Sequence, residues 1–394
     1  MELAGESLSQ AWTVPTVTAR SVLAAPPATL LDLRSPSEFA ADHLPGATHA
    51  PLFDDGERAL IGTLYHRHSP HSAFEEGVRL AEARIARLAD ELAGAAGREL
   101  AVADPAAWVR SLSAGGLAAT SRRLQARPVV GDQAPSLVLY CARGGMRSSS
   151  IAAFCRAALD WSDACVLEGG YKAYRSSVLA ELDAWRAPAT LVLRGWTGVG
   201  KTLVLRELER LRPGTTLDLE ACAAHRSSVL GMVGLRPRSQ RAFDSHLAAS
   251  LRRLTGSSVV VEGESRKVGD AIIPQSVWMA MQAGVNVRLT AGLERRQEVL
   301  IEDYLSSTQS REQLREQLPF IEGRLGPKKW GGVLVDLLDA GREGELVEVL
   351  LTRYYDPLYR HSEEGRAVAF QVDATDPARA AGELAGWLDE RGPC

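Results

Sequence analysis

The sequence predicts an α/β protein of two domains, each built on a parallel sheet with helices between successive strands, the second with helical additions. Three observations lead there. The chain has 394 residues, more than the roughly 100–200 residues of one domain. Short apolar runs alternate with stretches of helical spacing, the pattern of strands joined by crossover helices. Twice, an apolar run passes into a glycine-containing loop that opens a helix: "YCARGGMRSSS" at 140–150 and "GWTGVGKT" at 195–202.

Taken in order, "ATLLDLRSPSEFAADHLPGATHAP" (28–51) begins as a strand ending in Asp32 and Arg34. A Ser-Pro turn, a short helix over 37–41 and a Pro45-Gly46 turn follow. Phe74, Val78, Ala81, Ile85, Leu88 and Leu92 fall at helical spacing and predict an amphipathic helix over 74–92. The Ala-, Gly- and Arg-rich segment 94–134 reads as helical pieces and loops, an insertion. "SLVLYC" is a buried strand, 148–159 a helix, and "ACVLEGGYKAYR" a strand, a Gly-Gly turn and a helix start. The proline in "DAWRAPAT" (183–190) marks a boundary, giving domains 1–183 and 190–394. Beyond it come strand, loop and helix in "TLVLRGWTGVGKTLVLRELERL". Further strands are read in "TTLDLE", "SSVVVEGES" and "NVRLTA", and a last one near "AVAFQVDA"; helices such as "ERRQEVLIEDYL" fill the rest.

Composition narrows the partners. Apolar residues make up 45% and charged residues 24% of the chain, values of an ordinary globular protein. A net charge of −4 provides no global attraction to nucleic acid, although a local basic patch suffices. Arg122, Arg123 and Arg127 form one candidate patch; Arg236, Arg238 and Arg241 form another; Lys328 and Lys329 beside Trp330 form a third. Each reads first as solvated surface charge. Cys141, Cys155, Cys165, Cys222 and Cys394 are odd in number and without CxxC spacing, which argues against a disulfide framework or a zinc site. "MELAGESLSQAW" has neither a basic nor an apolar region, so no signal peptide is expected. No apolar run approaches membrane-spanning length, and the cytoplasm is the expected compartment.

The loop 195–202 fits the phosphate-cradling P-loop pattern, with the strand before and the helix after that the pattern needs. Gly195, Gly198 and Gly200, with Trp196 and Thr197 between them, let backbone N–H groups turn inward around phosphate oxygens. The helix start adds its positive end. Lys201 supplies a mobile cation, and Thr202 offers a hydroxyl to Mg²⁺. Asp218 or Glu262, each after an apolar run, is the candidate carboxylate for that ion. The loop reads a diphosphate or triphosphate without saying which compound carries it.

Cys141 stands where a strand ends and a helix begins. Backbone N–H groups from Ala142 to Met146, the charges of Arg143 and Arg147, and the helix dipole all favour thiolate. Such a thiolate can hold a persulfide or neighbour an oxyanion. The alternative is a small buried hydrophobe, the reading given to Cys155 and Cys165. Cysteine, five residues, arginine is also the spacing of cysteine phosphatases, which usually carry His before the nucleophile; Tyr140 stands there. The stretch "LLDLRSPSEFAADHLPGATHAP" instead resembles the N-terminal signature of rhodanese domains, in which Asp32 and Arg34 brace the sheet.

The joint order is similar to that of the tRNA 2-selenouridine synthases. The resemblance rests on "DLRSPSEF", "APLFDDGERALIGTLYHRHSPHSA", "YCARGGMRS", "LEGGYKAYR", "GWTGVGKT", "LDLEACAAHRSSVLG", "VVEGESRKVG", "RLGPKKW" and "YYDPLY". Two departures stand out: the long segment 101–132, and Ser227 in His225-Arg226-Ser227-Ser228 where the family has glycine. The resemblance implies a rhodanese-like domain fused to a P-loop NTPase-like domain. It implies a selenotransferase acting on the wobble 2-thiouridine of tRNA, with geranyl diphosphate and selenophosphate as co-substrates. Lys201, Thr202 and the loop amides would bind diphosphate and Mg²⁺, with Asp218 as a further metal ligand. Cys141 would serve selenium transfer, steered by Arg143 and Arg147. Trp196, Arg226, Glu262, Glu264, Arg266 and Lys267 are candidate substrate or RNA contacts, Trp196 as the wall of a prenyl groove. Tyr354, Tyr355 and Tyr359 read first as core and second as stacking partners. Arg295 and Arg296 resemble the lid-like helix of P-loop kinases. Two other readings stay open: an NTP-dependent kinase or NTPase fused to a sulfurtransferase, and a non-enzymatic RNA-binding protein with a relic rhodanese fold.

Overall fold

The computed structural model describes residues 12–100, 102–128, 136–363 and 366–391. The leader reading (1–11), part of the 94–134 segment and Cys394 lie outside the described residues. The chain divides into two units, Met1–Leu179 and Ala180–Cys394.

In the first unit six strands form: β1 (Trp12–Val17), β2 (Thr29–Asp32), β3 (Thr48–His49), β4 (Leu124–Pro128), β5 (Leu137–Tyr140) and β6 (Ala164–Leu167). They lie in the order β3-β2-β5-β6-β1-β4, every pairing parallel. Every residue of β5 (LVLY) and β6 (ACVL) is buried, as unbroken apolar runs in the middle of a parallel sheet must be. The helix expected over 74–92 runs over Pro70–Ala96, from a Ser69 cap whose hydroxyl accepts the Ser72 N–H at 3.0 Å to the left-handed Gly97. Ile85, Leu88 and Leu92 on its inner stripe are fully buried, each contributing roughly 1.5–3 kcal/mol. They pack with Val109, Phe154 and Trp161.

Segment 94–134, read as helical pieces and loops, contains helices Pro105–Ser113 and Gly116–Arg123 but also the strand β4. That strand (LQARP) is exposed along four of its five residues; as an edge strand it shows no apolar alternation. β1 was also unread because Pro15 interrupts it. The proline lies opposite Arg127 of the edge strand β4, and β6 pairs only with Thr16 and Val17, so no ladder bond to β6 needs an N–H at Pro15.

Asp32 and Arg34 brace the sheet. Arg34 donates from its backbone N–H to Asp32 Oδ1 (2.9 Å), from Nε to both Asp32 oxygens (3.0 Å each), and from Nη2 to Asp32 Oδ2 (2.5 Å) and the Asp42 carbonyl (2.7 Å). Its guanidinium lies 3.9 Å from the Tyr171 ring centroid. Both residues are buried.

In the second unit, β7 (Ala189–Arg194), β8 (Thr216–Leu217), β9 (Ser258–Glu262), β12 (Val285–Thr290) and β13 (Phe370–Asp373) form a parallel sheet in the order β13-β12-β7-β9-β8. β10 (Lys267–Val268) and β11 (Ala271–Ile272) form a separate antiparallel ribbon. The chain steps from β7 toward β8 and β9, then crosses back to β12, so a switch point lies at the carboxyl ends of the central strands. Helix Lys201–Leu211 buries Val204, Leu205 and Leu208 against the sheet, joined by Leu384 of helix Pro377–Arg391. A second core is mostly helical and includes Leu314, Leu318, Ile321, Leu334 and Leu350, with Leu230 and Val233 added from a turn. The "TTLDLE" strand is shorter than read. Asp218 ends it by capping helix Leu219–Ala223, its carboxylate accepting the Ala221 N–H at 2.6 Å. Among the described residues no helix is long and apolar enough to cross a membrane.

Removing one partner of a buried ion pair strands the other charge. Asp32→Ala should therefore lower unfolding stability by about 3–5 kcal/mol, read by chemical denaturation; a loss below about 1 kcal/mol would show that Arg34 does not depend on its carboxylate.

Candidate functional sites

Cys141 follows β5, the central strand beside β2 and β6. Its sulfur lies 3.2 Å from Ser148 Oγ, and only 2% of the residue is exposed. Burial pushes the thiol pKa up. The Arg147 charge, the Ser148 hydroxyl and the N–H groups of Arg143 and Ser148 outweigh it, so the thiol lies below its ordinary value. The sulfur is enclosed, but by polar groups rather than aliphatic packing. In the other described cysteines burial wins, over the Ser250 hydroxyl and Arg238 near Cys222 and over Arg98 near Cys155: it drives Cys155 and Cys165 up to about 12 and Cys222 up to about 11.

The loop is shaped by a second glycine pair. Gly144 has φ +62, and a Cβ there would lie 2.7 Å from Gly169 N and from Leu167 O. A Cβ on Gly170 would lie 2.3 Å from Cys141 O and 2.4 Å from Gly144 N. The first-turn N–H groups of helix Gly170–Ala184 (Tyr171 and Lys172) donate to the carbonyls of Cys141 and Ala142, at 2.9 and 3.0 Å. With those carbonyls fixed outward, the loop's amides are left for the sulfur and for an anion beside it. Arg147 lies 3.8 Å from Glu38, while Arg143 is exposed and contributes its N–H rather than its charge to the thiol. Ser148 and Glu38 were missed by sequence reasoning. The signal for Glu38 was the capping box Ser35-Pro36-Ser37-Glu38, in which Ser35 N–H donates to Glu38 Oε2 at 3.3 Å.

In the second unit, the loop 195–200 connects β7 to helix Lys201–Leu211. Gly198 has φ +77, and a Cβ there would meet Leu300 Cδ1 at 2.4 Å and Arg296 O at 2.8 Å. Lys201 Nζ donates to Gly195 O at 3.4 Å. Thr202 Oγ1 donates to Glu262 Oε1 at 2.6 Å and lies 3.4 Å from Glu220 Oε2. Of the two carboxylates weighed for the metal, Glu262 is therefore the one against Thr202. Asp218, named as the ligand, instead caps the next helix. β9 pairs Glu262 with Leu193, which puts the carboxylate level with the start of the loop. Glu262 is fully buried, and burial together with Glu220, Asp218 and Glu264 raises it well above the carboxylate range. Burial and Glu264 bring Glu220 up to about 8. Among the described residues no group of three His, Cys, Asp or Glu stands ready to hold a metal ion by itself.

A cavity of about 720 Å³ opens over this loop. Gly195, Thr197, Gly198, Gly200, Lys201, Thr202, Asp218, Glu264, Arg226 and Arg266 all line it, with Trp278, Tyr304 and Tyr359 as aromatic wall. Four expectations change. Glu262, also named as a substrate or RNA contact, is fully buried and outside the lining. Trp196 is not on that wall; it is 41% exposed and covers Arg296. Lys267 is exposed on β10, outside the lining. Arg296 is buried beneath the loop rather than raised on a lid. Arg226 is anchored through Val233 O (2.8 Å) and Asp303 O (3.1 Å). Arg266 donates to Gln275 Oε1 at 2.6 Å and lies 5.8 Å from the Trp278 ring centroid. Tyr354 and Tyr355 are core. Ser227, at the position of the family's glycine, adopts φ +39 and lines the cavity.

Two outcomes are expected. With iodoacetamide near neutral pH, Cys141 should be alkylated before Cys155, Cys165 and Cys222, and Ser148→Ala should slow it; equal labelling by peptide mass spectrometry would contradict the polar cradle. Ser227→Gly should relieve left-handed strain and raise stability by about 0.5–1 kcal/mol, seen as a higher melting temperature; an unchanged or lower one would show that the turn is unstrained.

A family model described as the tRNA 2-selenouridine synthase AAA domain matches residues 188–380. A protein named tRNA 2-selenouridine synthase from Cupriavidus pinatubonensis is 32% identical, over 92% of this chain and 94% of its own length. One of the same name from Chromohalobacter salexigens is 30% identical, over 85% and 88%. Among solved structures, a gluconokinase from Sinorhizobium meliloti 1021 aligns with 53% of this chain and 99% of its own at 18% identity, with a TM-score of 0.23, too low to bear on the fold. The relatives match through both units, the cysteine loop as well as the phosphate loop: the chain belongs to the tRNA 2-selenouridine synthase family.

Proposed function

We propose that this chain converts wobble 2-thiouridine in tRNA to 2-selenouridine in two steps, one for each loop. In the first, the thiocarbonyl sulfur attacks C1 of geranyl diphosphate. The C–O bond breaks, pyrophosphate leaves with the electron pair, and the base loses its N3 proton. In the second, the selenium of selenophosphate adds at C2, geranyl thiolate departs and takes a proton from solvent, and water splits the P–Se bond to release phosphate. The observation that carries this reading is the presence of two separately built anion sites, one centred on a thiol of lowered pKa and the other on a diphosphate-shaped loop.

The residues fit these tasks. The loop amides of Gly198 and Gly200, the helix start and Lys201 suit the leaving pyrophosphate. Thr202 and Glu262 would hold Mg²⁺, which would screen the diphosphate charge. Glu262 supports this reading: it is a buried carboxylate crowded by like charge, and its neighbouring hydroxyl is a ligand of the right kind. Cys141 serves selenium transfer as a thiolate nucleophile, with Arg147 and Arg143 beside the incoming phosphate. Arg266 and Trp278, on the wall of the cavity, suit an RNA phosphate and a base.

Incubation of 2-thiouridine tRNA with geranyl diphosphate and selenophosphate, followed by nucleoside mass spectrometry, tests the division of labour. Cys141→Ala should accumulate S-geranyl-2-thiouridine, and Lys201→Ala should leave plain 2-thiouridine. Identical products from the two variants would refute it. Tight ATP or GTP binding without any response to geranyl diphosphate would favour an NTP-dependent enzyme instead.

A further inference from the structure

An indole inside a phosphate loop and an arginine buried beneath it are both unexplained by diphosphate binding alone, and the structure joins them. Arg296, on helix Leu293–Leu305, is 5% exposed. Its Nε donates to the Thr197 carbonyl at 2.9 Å. Its Nη2 and Nη1 donate to Asp356 Oδ1 and Oδ2 at 2.5 and 3.1 Å. The guanidinium carbon lies 5.2 Å from the centroid of the Trp196 ring. One side chain thus binds the loop, the start of helix Asp356–Glu363 and the face of an aromatic ring.

The peptide unit shows why this matters. In a trans peptide the C=O of one residue and the N–H of the next point in opposite directions. Pinning the Thr197 carbonyl toward Arg296 turns the Gly198 N–H the other way, into the cradle. The tight fit of Gly198 over Leu300 and Arg296 O leaves the loop little room to rotate back. Asp356 is itself placed by a π-helical turn, Leu350–Tyr355, immediately before it; such turns are rare, and each shifts the register of the helix after it. The helix that Asp356 opens also carries Tyr359, on the cavity wall.

We propose that Arg296 is a positioning residue for diphosphate binding: held by Asp356 and covered by Trp196, it fixes the Thr197–Gly198 peptide so that the amide faces the ligand. The proposal rests on the reading of this loop as a diphosphate site. Only arginine serves, because the planar fork makes the carbonyl bond and the bidentate carboxylate bond together. Trp196 presents its ring to the cation and keeps water from an ion pair that is strongest when dry.

The test is calorimetric titration of the full chain with inorganic pyrophosphate and Mg²⁺, alongside steady-state kinetics. Asp356→Asn and Arg296→Lys should each weaken pyrophosphate binding about tenfold, equivalent to about 1.4 kcal/mol. KM for geranyl diphosphate should rise in parallel while KM for tRNA stays unchanged. Trp196→Phe should bind like wild type, and Trp196→Ala about threefold more weakly. Binding of pyrophosphate by wild type and Asp356→Asn within twofold of each other would overturn the clamp and leave the diphosphate reading standing. A rise in both KM values together would also overturn it, because that marks general loosening of the unit. Failure of wild type to bind pyrophosphate would remove the diphosphate reading and the clamp with it. If Asp356→Asn does not fold, Trp196→Ala decides alone: its side chain is at the surface, and unaltered affinity would reject the proposal.

Discussion

Tyr171 N–H reaches the Cys141 carbonyl at 2.9 Å across a gap that a single methyl group on Gly170 would close. That approach of backbone to backbone is the constraint on which the first site depends. A loop that offers its amides to an anion must dispose of its carbonyls elsewhere, and here the next helix start takes them. The "EGG" after β6 belongs to the cysteine loop although roughly 25 residues separate them, a distance in sequence about that of a strand–helix–strand unit. The second unit meets the same requirement differently. Its outward carbonyl, that of Thr197, goes to a side chain, Arg296, and an ion pair holds that side chain in place.

The charges behind the two loops are arranged in opposite senses. Around Cys141, neutral and positive groups draw the thiol toward ionisation despite its burial. Behind Thr202, carboxylates crowd one another and are pushed toward protonation. The first arrangement favours the thiolate form in a dry place. The second is an arrangement of crowded carboxylates that a divalent cation, as proposed, would relieve. Glu220 and Glu262 share the Thr202 hydroxyl at one focus.

Much of this was legible in the residues, because the strands that matter most are those with the least ambiguous pattern. β5 and β6 are apolar throughout, and β7 and β9 carry the apolar runs Leu191-Val192-Leu193 and Val259-Val260-Val261, since both faces are covered; each delivers its loop at its carboxyl end. The elements that escaped reading were those whose stability comes from neighbours. β4 is an exposed edge, β1 carries a proline that its limited pairing permits, and β10 and β11 are two residues each. At the site, residue type was readable and partnership was not. Asp218 and Glu262 both end apolar runs, and only the register of β9 on β7 places Glu262 beside the threonine. Trp196 looked like a groove wall because of where it sits in the chain; its partner lies about a hundred residues on. Arg296 looked like a lid because its helix is basic, and the carboxylate that draws it inward comes after a π turn that no spacing rule anticipates.

The near-complete enclosure of the Cys141 sulfur sets a limit on traffic. A bulky group such as a nucleoside cannot touch the sulfur of a residue that is 2% accessible. Any group that reaches that sulfur is accordingly small, or is admitted during a brief parting of the rim itself. Size screening thus precedes charge recognition, and the loop acts as a sieve before it acts as a reagent.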